Sequence, residues 1–408
     1  MVLSESQFLV NFCIKRLSSG KSTFLNAACL TDAKVSELPF TTIDANKGVS
    51  YIKVDCVCSE LDLDDNPKNS ICLNGARFIP INMLDVAGLV PDAHKGKGLG
   101  NKFLNDLSRA DVLLHIVDMT GALDKSGNRV SIGENDPYED ILFLEDELNY
   151  WVKEILERED WNKFTKIAKD KKKMIVELHK RLSGLKINQQ HILTALKSSS
   201  LDDKLPSQWT DDEMFLFSKN IREISKPILI LANKIDKDIS IENLSKLMNK
   251  YSGPVVPCSA LAEYVLRKYH EDKIIEYLPG SADFQLIDED KLKSNELEIL
   301  KKIKEEILEK FHGTGVQKSL NYAALNISEL ICVYPVSDIN NYSDKDGNVL
   351  PDVFLVKKGT LLIDFVREKI HSDLAKHFIY GIDARTKKRL GENYELKNND
   401  IIKIVSAI

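Results

Sequence analysis

Short polar motifs at the ends of apolar, strand-length runs constrain this chain more than any other feature. "QFLVNFCI" leads into a loop that closes as Gly20-Lys21-Ser22-Thr23, and "STFLNAACL" continues with helical spacing. "PFTT" (Pro39 to Thr42) comes next, and "DVAG" (Asp85 to Gly88) ends the run "RFIPINML". "NKID" (Asn233 to Asp236) follows "PILILA", and "CSA" (Cys258 to Ala260) follows "GPVVP". Any one of these alone would pass for a random turn. Their order, each placed against a strand or a helix start, is α/β logic with a mostly parallel sheet. In such sheets ligands sit outside the carboxyl ends of the strands.

Each motif brings a chemistry. Backbone N–H groups from Ser18, Ser19, Gly20, Lys21, Ser22 and Thr23 can wrap phosphates at the positive end of a helix. Gly20 permits close backbone approach, and the Lys21 ammonium would reach the β- and γ-phosphates. The Ser22 hydroxyl, Thr41 or Thr42 and, through water, Asp85 would complete a Mg²⁺ shell, while the Gly88 N–H would sense the γ-phosphate. Asn233, Lys234 and Asp236 form the base-binding set. A carboxylate at Asp236 can accept from both the ring N–H and the exocyclic amine of guanine, a pair of donors that adenine lacks. Such a charge-assisted bond contributes about 1.5–3 kcal/mol. Ser259 and Ala260 would offer a backbone N–H to the guanine oxygen.

The phosphate loop departs from its pattern at one place. G-x-x-x-x-G-K-[ST] asks for glycine at position 15, where this chain has Lys15. A lysine where glycine makes the turn strains the backbone or crowds the β-phosphate.

"PFTTIDANKGV", "DVAGLVPDAHKGKGLGNKFLNDLSRADVLLHIVD", "NKID", "PCSALAE" and the C-terminal "DGNVLPDVFLVKKGT…LKNNDIIKIVSAI" resemble the archaeal-type YchF proteins, of the Obg-like branch of translation-factor GTPases. The resemblance spans nearly the whole chain. It implies a P-loop GTPase domain over residues 1–136 and 227–312, a helical, coiled-coil-like insertion over 137–226, and a C-terminal α+β β-grasp (TGS) domain over 328–408. It also implies nucleotide hydrolysis coupled to ribosome or RNA binding. Many YchF proteins carry NxxE and prefer ATP; this chain keeps NKxD, which favours GTP and GDP. The family's "GKPNVGKS" is here "KRLSSGKS", so Ser18 replaces an asparagine that can help hold K⁺.

Leu89 stands where many GTPases place a glutamine that orients the attacking water, and leucine cannot hydrogen-bond. His94 in the glycine-rich loop is the nearest substitute, either as a catalytic group or as an ordinary loop histidine. Slow intrinsic turnover is therefore expected, with a partner supplying the full rate.

Composition bounds the rest. A chain of 408 residues exceeds one ordinary core. A net charge of −6 gives no global attraction for polyanions, so any RNA surface must be local. No apolar run approaches membrane-spanning length, so no membrane partner is expected. Seven cysteines without an export signal point to reduced thiols in the cytoplasm. A monomer is expected. From Pro137 to Lys226 the chain is helical and charged, either a helical hairpin packed on itself or a dedicated binding surface. Its basic run Lys169 to Lys173 reads as a solvated face rather than, taken alone, an RNA site.

Two further groups stand out. "CVCSELDLDDNPKNSIC" places Cys56, Cys58 and Cys72 around a loop, with Asp65 where a fourth ligand would stand. The set reads either as Zn²⁺ ligands or as reduced thiols, with Cys56 and Cys58 on one strand face. In "DARTKKRLG", Arg385, Lys387, Lys388 and Arg389 repel one another and favour an anionic partner or solvation. Three functions stay open on the sequence: a GTPase switch in translation, an RNA-binding adaptor with impaired hydrolysis, and a YchF-type ATPase.

Overall fold

The computed structural model describes residues 20–29, 47–84, 108, 110–124, 128–157 and 161–407. The loop residues Lys15, Ser18 and Ser19, the "PFTT" threonines Thr41 and Thr42, and Asp85, Gly88, Leu89 and His94 lie outside them.

Three parallel strands, β4 (Leu113–Asp118), β5 (Ile228–Asn233) and β6 (Val255–Cys258), stand in the order β4-β5-β6. All residues of β4 and β5 are buried, as expected for strands covered on both faces. Asp118 pairs with Asn233, and Asn233 with Cys258, so the three carboxyl ends lie level. An antiparallel ribbon accompanies them: β1 (Lys47–Asp55) runs against β3 (Ala76–Leu84), and β2 (Ile71–Leu73) pairs with the start of β3. Helix Lys21–Cys29 buries Phe24, Ala27 and Ala28.

The segment between β4 and β5 contains five α-helices among the described residues, Pro137–Glu157, Trp161–Ile167, Lys171–Leu182, Gln189–Ser198 and Asp211–Ser225, rather than a simple hairpin. Leu144, Leu148, Trp151 and Leu156 recur at helical spacing and pack with Phe164, Leu178 and Phe217 in a core continuous with Leu113 and Ile228 of the sheet. Lys169 and Lys171 to Lys173 are exposed; Asp170 caps the following helix by accepting from Lys173 N at 2.9 Å, and Lys173 also pairs with it at 3.1 Å.

A short antiparallel pair, β7 (Ile275–Glu276) and β8 (Gln285–Leu286), precedes the C-terminal domain, a mixed sheet of β9 (Leu330–Val336), β10 (Phe354–Lys357), β11 (Phe378–Asp383), β12 (Arg389–Leu390) and β13 (Asp400–Ser406), in the order β10-β9-β13-β11-β12. Only β13 and β9 run parallel. Leu362, Phe365 and Val366 of the crossing helix pack on Phe354 and Ile402. This is the β-grasp arrangement expected of a TGS domain. Among the described residues no helix is long and apolar enough to cross a membrane.

Candidate functional site

The site forms where the level ends of β4, β5 and β6 meet the start of helix Lys21–Cys29. Gly20 has φ +92°, a conformation that glycine adopts without strain, and its side toward β5 is filled: a Cβ there would overlap Asn233 Nδ2. The other end of the same amide accepts from the backbone N–H of Ala260 at 3.1 Å. Asn233 therefore joins the end of the phosphate loop to the loop after β6. Lys21 is partly buried at the helix start, Ser22 is exposed beside it, and Thr23 is partly buried. An exposed hydroxyl next to a lysine at a helix N-terminus suits a phosphate-bound Mg²⁺.

Asp236 keeps its carboxylate partly open, with about a quarter of the side chain accessible. Its Oδ1 accepts from Ser259 Oγ at 3.0 Å, and Lys237 Nζ lies 3.6 Å from Oδ2. Ser259 also caps helix Ala260–Glu271 by accepting from Ala262 N. The sequence motifs "GKST", "NKID" and "CSA" are thus brought to one edge of the sheet.

Three supporting groups escaped the sequence reading. Asp118 was visible only as the last residue of a buried run. Its Oδ2 accepts from Lys234 Nζ at 2.6 Å, and its Oδ1 from the Thr120 N–H and Oγ at 3.0 and 2.6 Å. Glu263 is fully buried and accepts from Arg267 Nε at 2.6 Å, from the Tyr277 hydroxyl at 2.8 Å and from Thr314 Oγ1. Burial beside that carboxylate pushes the Tyr277 hydroxyl well above its usual value. Thr314 in turn accepts the Ser259 N–H at 2.8 Å, so this network holds the loop that carries Ser259 and Ala260. An acid ending a buried strand, and an acid inside "CSALAE", were the available signals.

Cys56, Cys58, Asp65 and Cys72 also come together, with one ligand atom from each lying within 4.8 Å of all the others. The strand-face expectation for the first two is wrong. β1 stops at Asp55, Cys56 stands just before the one-turn helix Val57–Leu61, and Cys58 lies inside it. Hydrogen bonding from Cys72 lowers the Cys56 thiol to about 7, while burial pushes the Cys58 thiol up. In the basic turn, Arg385 is committed internally: it donates to Asn399 O at 2.6 Å and to Glu60 at 2.9 Å.

Three family models match consecutive stretches. Residues 14–180 match the 50S ribosome-binding GTPase model, 231–338 the model described as "Obg-like GTPase YGR210-like, G4 motif-containing domain", and 339–406 the TGS domain. A GTP-binding protein of Methanocaldococcus jannaschii is 44% identical over 390 residues, 95% of this chain and 96% of that protein. The crystal structure of a GTP-binding protein from Pyrococcus horikoshii is similar with a TM-score of 0.76 at 38% identity, covering 98% of this chain and 100% of that one. The ribosome-binding ATPase YchF of Bacillus subtilis is 29% identical over 265 residues, 62% of this chain and 66% of that protein. The level strand ends, the Gly20–Asn233 packing and the C-terminal mixed sheet agree with these matches, and the chain belongs to the YchF-type, Obg-like GTPase family with a C-terminal TGS domain.

Proposed function

We propose that the chain prefers GTP and GDP to ATP, hydrolyses GTP slowly, and acts as a switch associated with ribosomes or structured RNA. The observation that carries the base preference is the Asp236 carboxylate, oriented by Ser259 Oγ at 3.0 Å and still open to a ligand. Guanine presents two adjacent N–H donors to such a carboxylate, while adenine presents an acceptor in place of the ring donor.

On this reading Lys21 and the loop N–H groups bind the phosphates, and Asn233 keeps the phosphate loop and the Ala260 N–H in register. Mg²⁺, held by Ser22, Thr41 or Thr42 and Asp85, would neutralise charge on the phosphates. Gly88 senses the γ-phosphate. With Leu89 apolar, His94 or a partner must hold the attacking water. Lys15 sets the second reading, an adaptor that binds nucleotide without turning it over. The word ATPase in the Bacillus subtilis relative's name sets the third, against which the carboxylate at Asp236 speaks.

The ribosome association is supported by the TGS domain and by the names of the GTPase model and the Bacillus subtilis relative. The helical insertion offers a second surface. Equilibrium binding of GTP, GDP and ATP to the purified chain tests the reading. GTP should bind at least about tenfold more tightly than ATP, and Asp236→Ala should erase the difference. Lys21→Ala should abolish binding of all three. Equal GTP and ATP affinities in the unaltered chain would overturn the reading.

A further inference from the structure

Between β1 and β2 the chain leaves the sheet. After helix Val57–Leu61 it runs irregularly to Ser70, and the middle of this run is spent on the C-terminal domain. Asn66 N donates to Val349 O at 2.8 Å, and Lys68 N to Pro351 O at 2.7 Å. The Asn69 side chain donates to Val353 O at 2.9 Å and accepts from Val353 N at 3.0 Å. Lys68 Nζ reaches Asp344 at 2.7 Å. Ordering a short irregular run to offer these bonds costs conformational entropy, which anchoring beside it reduces. Asp65 stands just before these residues, and Cys72, in β2, just after them.

Those two residues converge on Cys56 and Cys58. Cys58 Sγ and Cys72 Sγ are 3.6 Å apart, and Cys56 Sγ and Asp65 Oδ2 are 3.2 Å apart. Zn–S bonds of about 2.3 Å and Zn–O bonds of about 2.1 Å in a tetrahedron set such ligand pairs roughly 3.5–3.8 Å apart. The sulfurs are too distant for a disulfide and close enough to share one ion. Cys56 and Cys58 are buried, and only 9% of the Asp65 side chain is accessible.

Arg77 supplies the second, independent observation. Its side chain is completely buried. It donates to Asp65 Oδ2 at 2.6 Å and approaches Cys56 Sγ at 3.9 Å. Its other terminal nitrogen donates to Leu350 O at 2.6 Å, in the segment that receives the irregular run. Three thiolates and a carboxylate carry more negative charge than one divalent ion neutralises. A buried cation that touches two of the ligands offsets the excess and orients them, as outer-shell partners of metal sites do.

We propose that Cys56, Cys58, Asp65 and Cys72 bind one structural Zn²⁺ ion, and that this ion clasps the TGS domain to the nucleotide-binding domain by fixing the chain on both sides of the docking run. Each thiol gives its proton to solvent as its Zn–S bond forms. All four positions come from protein, so the site is closed and has no place for a reacting water. The site is independent of the nucleotide reading and stands or falls without it.

The test uses the full chain purified without chelator. Elemental analysis should find about one zinc per chain, and Cys58→Ser with Cys72→Ser should lower it at least about tenfold. Replacing zinc by Co²⁺ should produce thiolate-to-cobalt charge-transfer absorption and the d–d bands of a tetrahedral site. Trypsin cleavage after Lys68 should accelerate at least about tenfold on metal removal, because the Asp65 end of the run is then held only by its ion pair with Arg77. Asn69→Ala should accelerate the same cleavage while retaining the metal. A folded wild-type chain that contains less than about a tenth of a zinc per chain and gives no cobalt absorption overturns the site. Bound zinc whose removal leaves Lys68 cleavage unchanged overturns the clasp. Should the double-cysteine variant fail to fold, the wild-type cobalt spectrum and cleavage rates decide alone.

Discussion

Lys234 Nζ lies 2.6 Å from Asp118 Oδ2, so the lysine of the "NKID" motif is fastened to the end of the neighbouring strand. The register that sets Asp118 opposite Asn233 makes this reach possible, and Lys234 turns back toward it with φ +66°. The Asp118 side chain is almost fully buried, while Lys234 remains about one-third exposed. A buried carboxylate with three donors is a rigid anchor, and the ammonium it holds is the movable end.

Asp118→Ala should therefore weaken nucleotide binding without changing base preference. The loss expected is tenfold to a hundredfold, from about 1.5–3 kcal/mol for a charge-assisted bond. Titration with GTP and ATP checks both parts. An unchanged GTP affinity would show that Lys234 needs no anchor, and a changed GTP-to-ATP ratio would move Asp118 into base recognition.

The basic turn makes a separate prediction. Arg389 stacks over the Tyr380 ring at 4.5 Å, and Lys387 lies 5.5 Å from the Tyr342 ring centre and donates to Ile339 O. Both, with Lys388, are exposed. Cations held on aromatic faces lose less freedom when they meet a phosphate. Replacing Lys387, Lys388 and Arg389 by alanine should weaken co-sedimentation with ribosomes and flatten its salt slope by roughly one for each phosphate no longer neutralised. GTP affinity should not change. Sedimentation that survives the triple substitution at every salt concentration makes this turn an ordinary solvated surface.

Lys226 carries a prediction about pH. Its ammonium is buried where the helical insertion returns to β5, and it donates to Ser108 O at 2.9 Å and Ala110 O at 2.6 Å. Burial pulls its pKa down to about 8, below the unfolded value. Below pH 8 both states hold the proton, and the cost of burying it is constant. Above pH 8, up to the unfolded pKa near 10.4, the unfolded chain binds more protons, so stability rises with pH. Relative to Lys226→Met, the wild-type chain should gain about 1.4 kcal/mol per pH unit, totalling on the order of 3 kcal/mol. Urea unfolding of both chains between pH 7.5 and 10 measures it, and a difference independent of pH would refute the assignment.

What could be read from the sequence was whatever nucleotide chemistry dictates locally. Gly20, Lys21 and Ser22 had to follow an apolar run, and Asn233, Asp236 and Ser259 had to stand at strand ends. The structure starts a helix at Lys21, ends β5 at Asn233 and sets Asp236 and Ser259 just past β5 and β6; the run before Gly20 lies outside the described residues. What escaped was pairing at a distance. Asp118 meets Lys234, Thr314 meets Glu263, and Arg385 meets Glu60, with no periodicity to announce any of these pairs. The helix that carries Cys58 is a single turn, too short to show a 3.6-residue repeat after the alternation of β1. The five-helix insertion was readable as helical because Leu144, Leu148 and Trp151 recur at helical spacing. Its packing onto the sheet was not, because that is decided by residues such as Leu113 and Ile228 far along the chain.

The planar amide of Asn233 has Ala260 on its oxygen side and Gly20 on its nitrogen side. A plane cannot turn toward one neighbour without turning away from the other. Displacement of the loop after β6 is therefore felt at the mouth of the phosphate loop, and the reverse holds as well. On the proposed reading the base and phosphate ends of the cleft share this pivot, so a ligand that seats only one end leaves it half-braced. A nucleoside and a free pyrophosphate, each able to fill one end, would then brace the cleft less together than the joined molecule does, because only a covalent tether holds both flanks of the amide at a fixed separation.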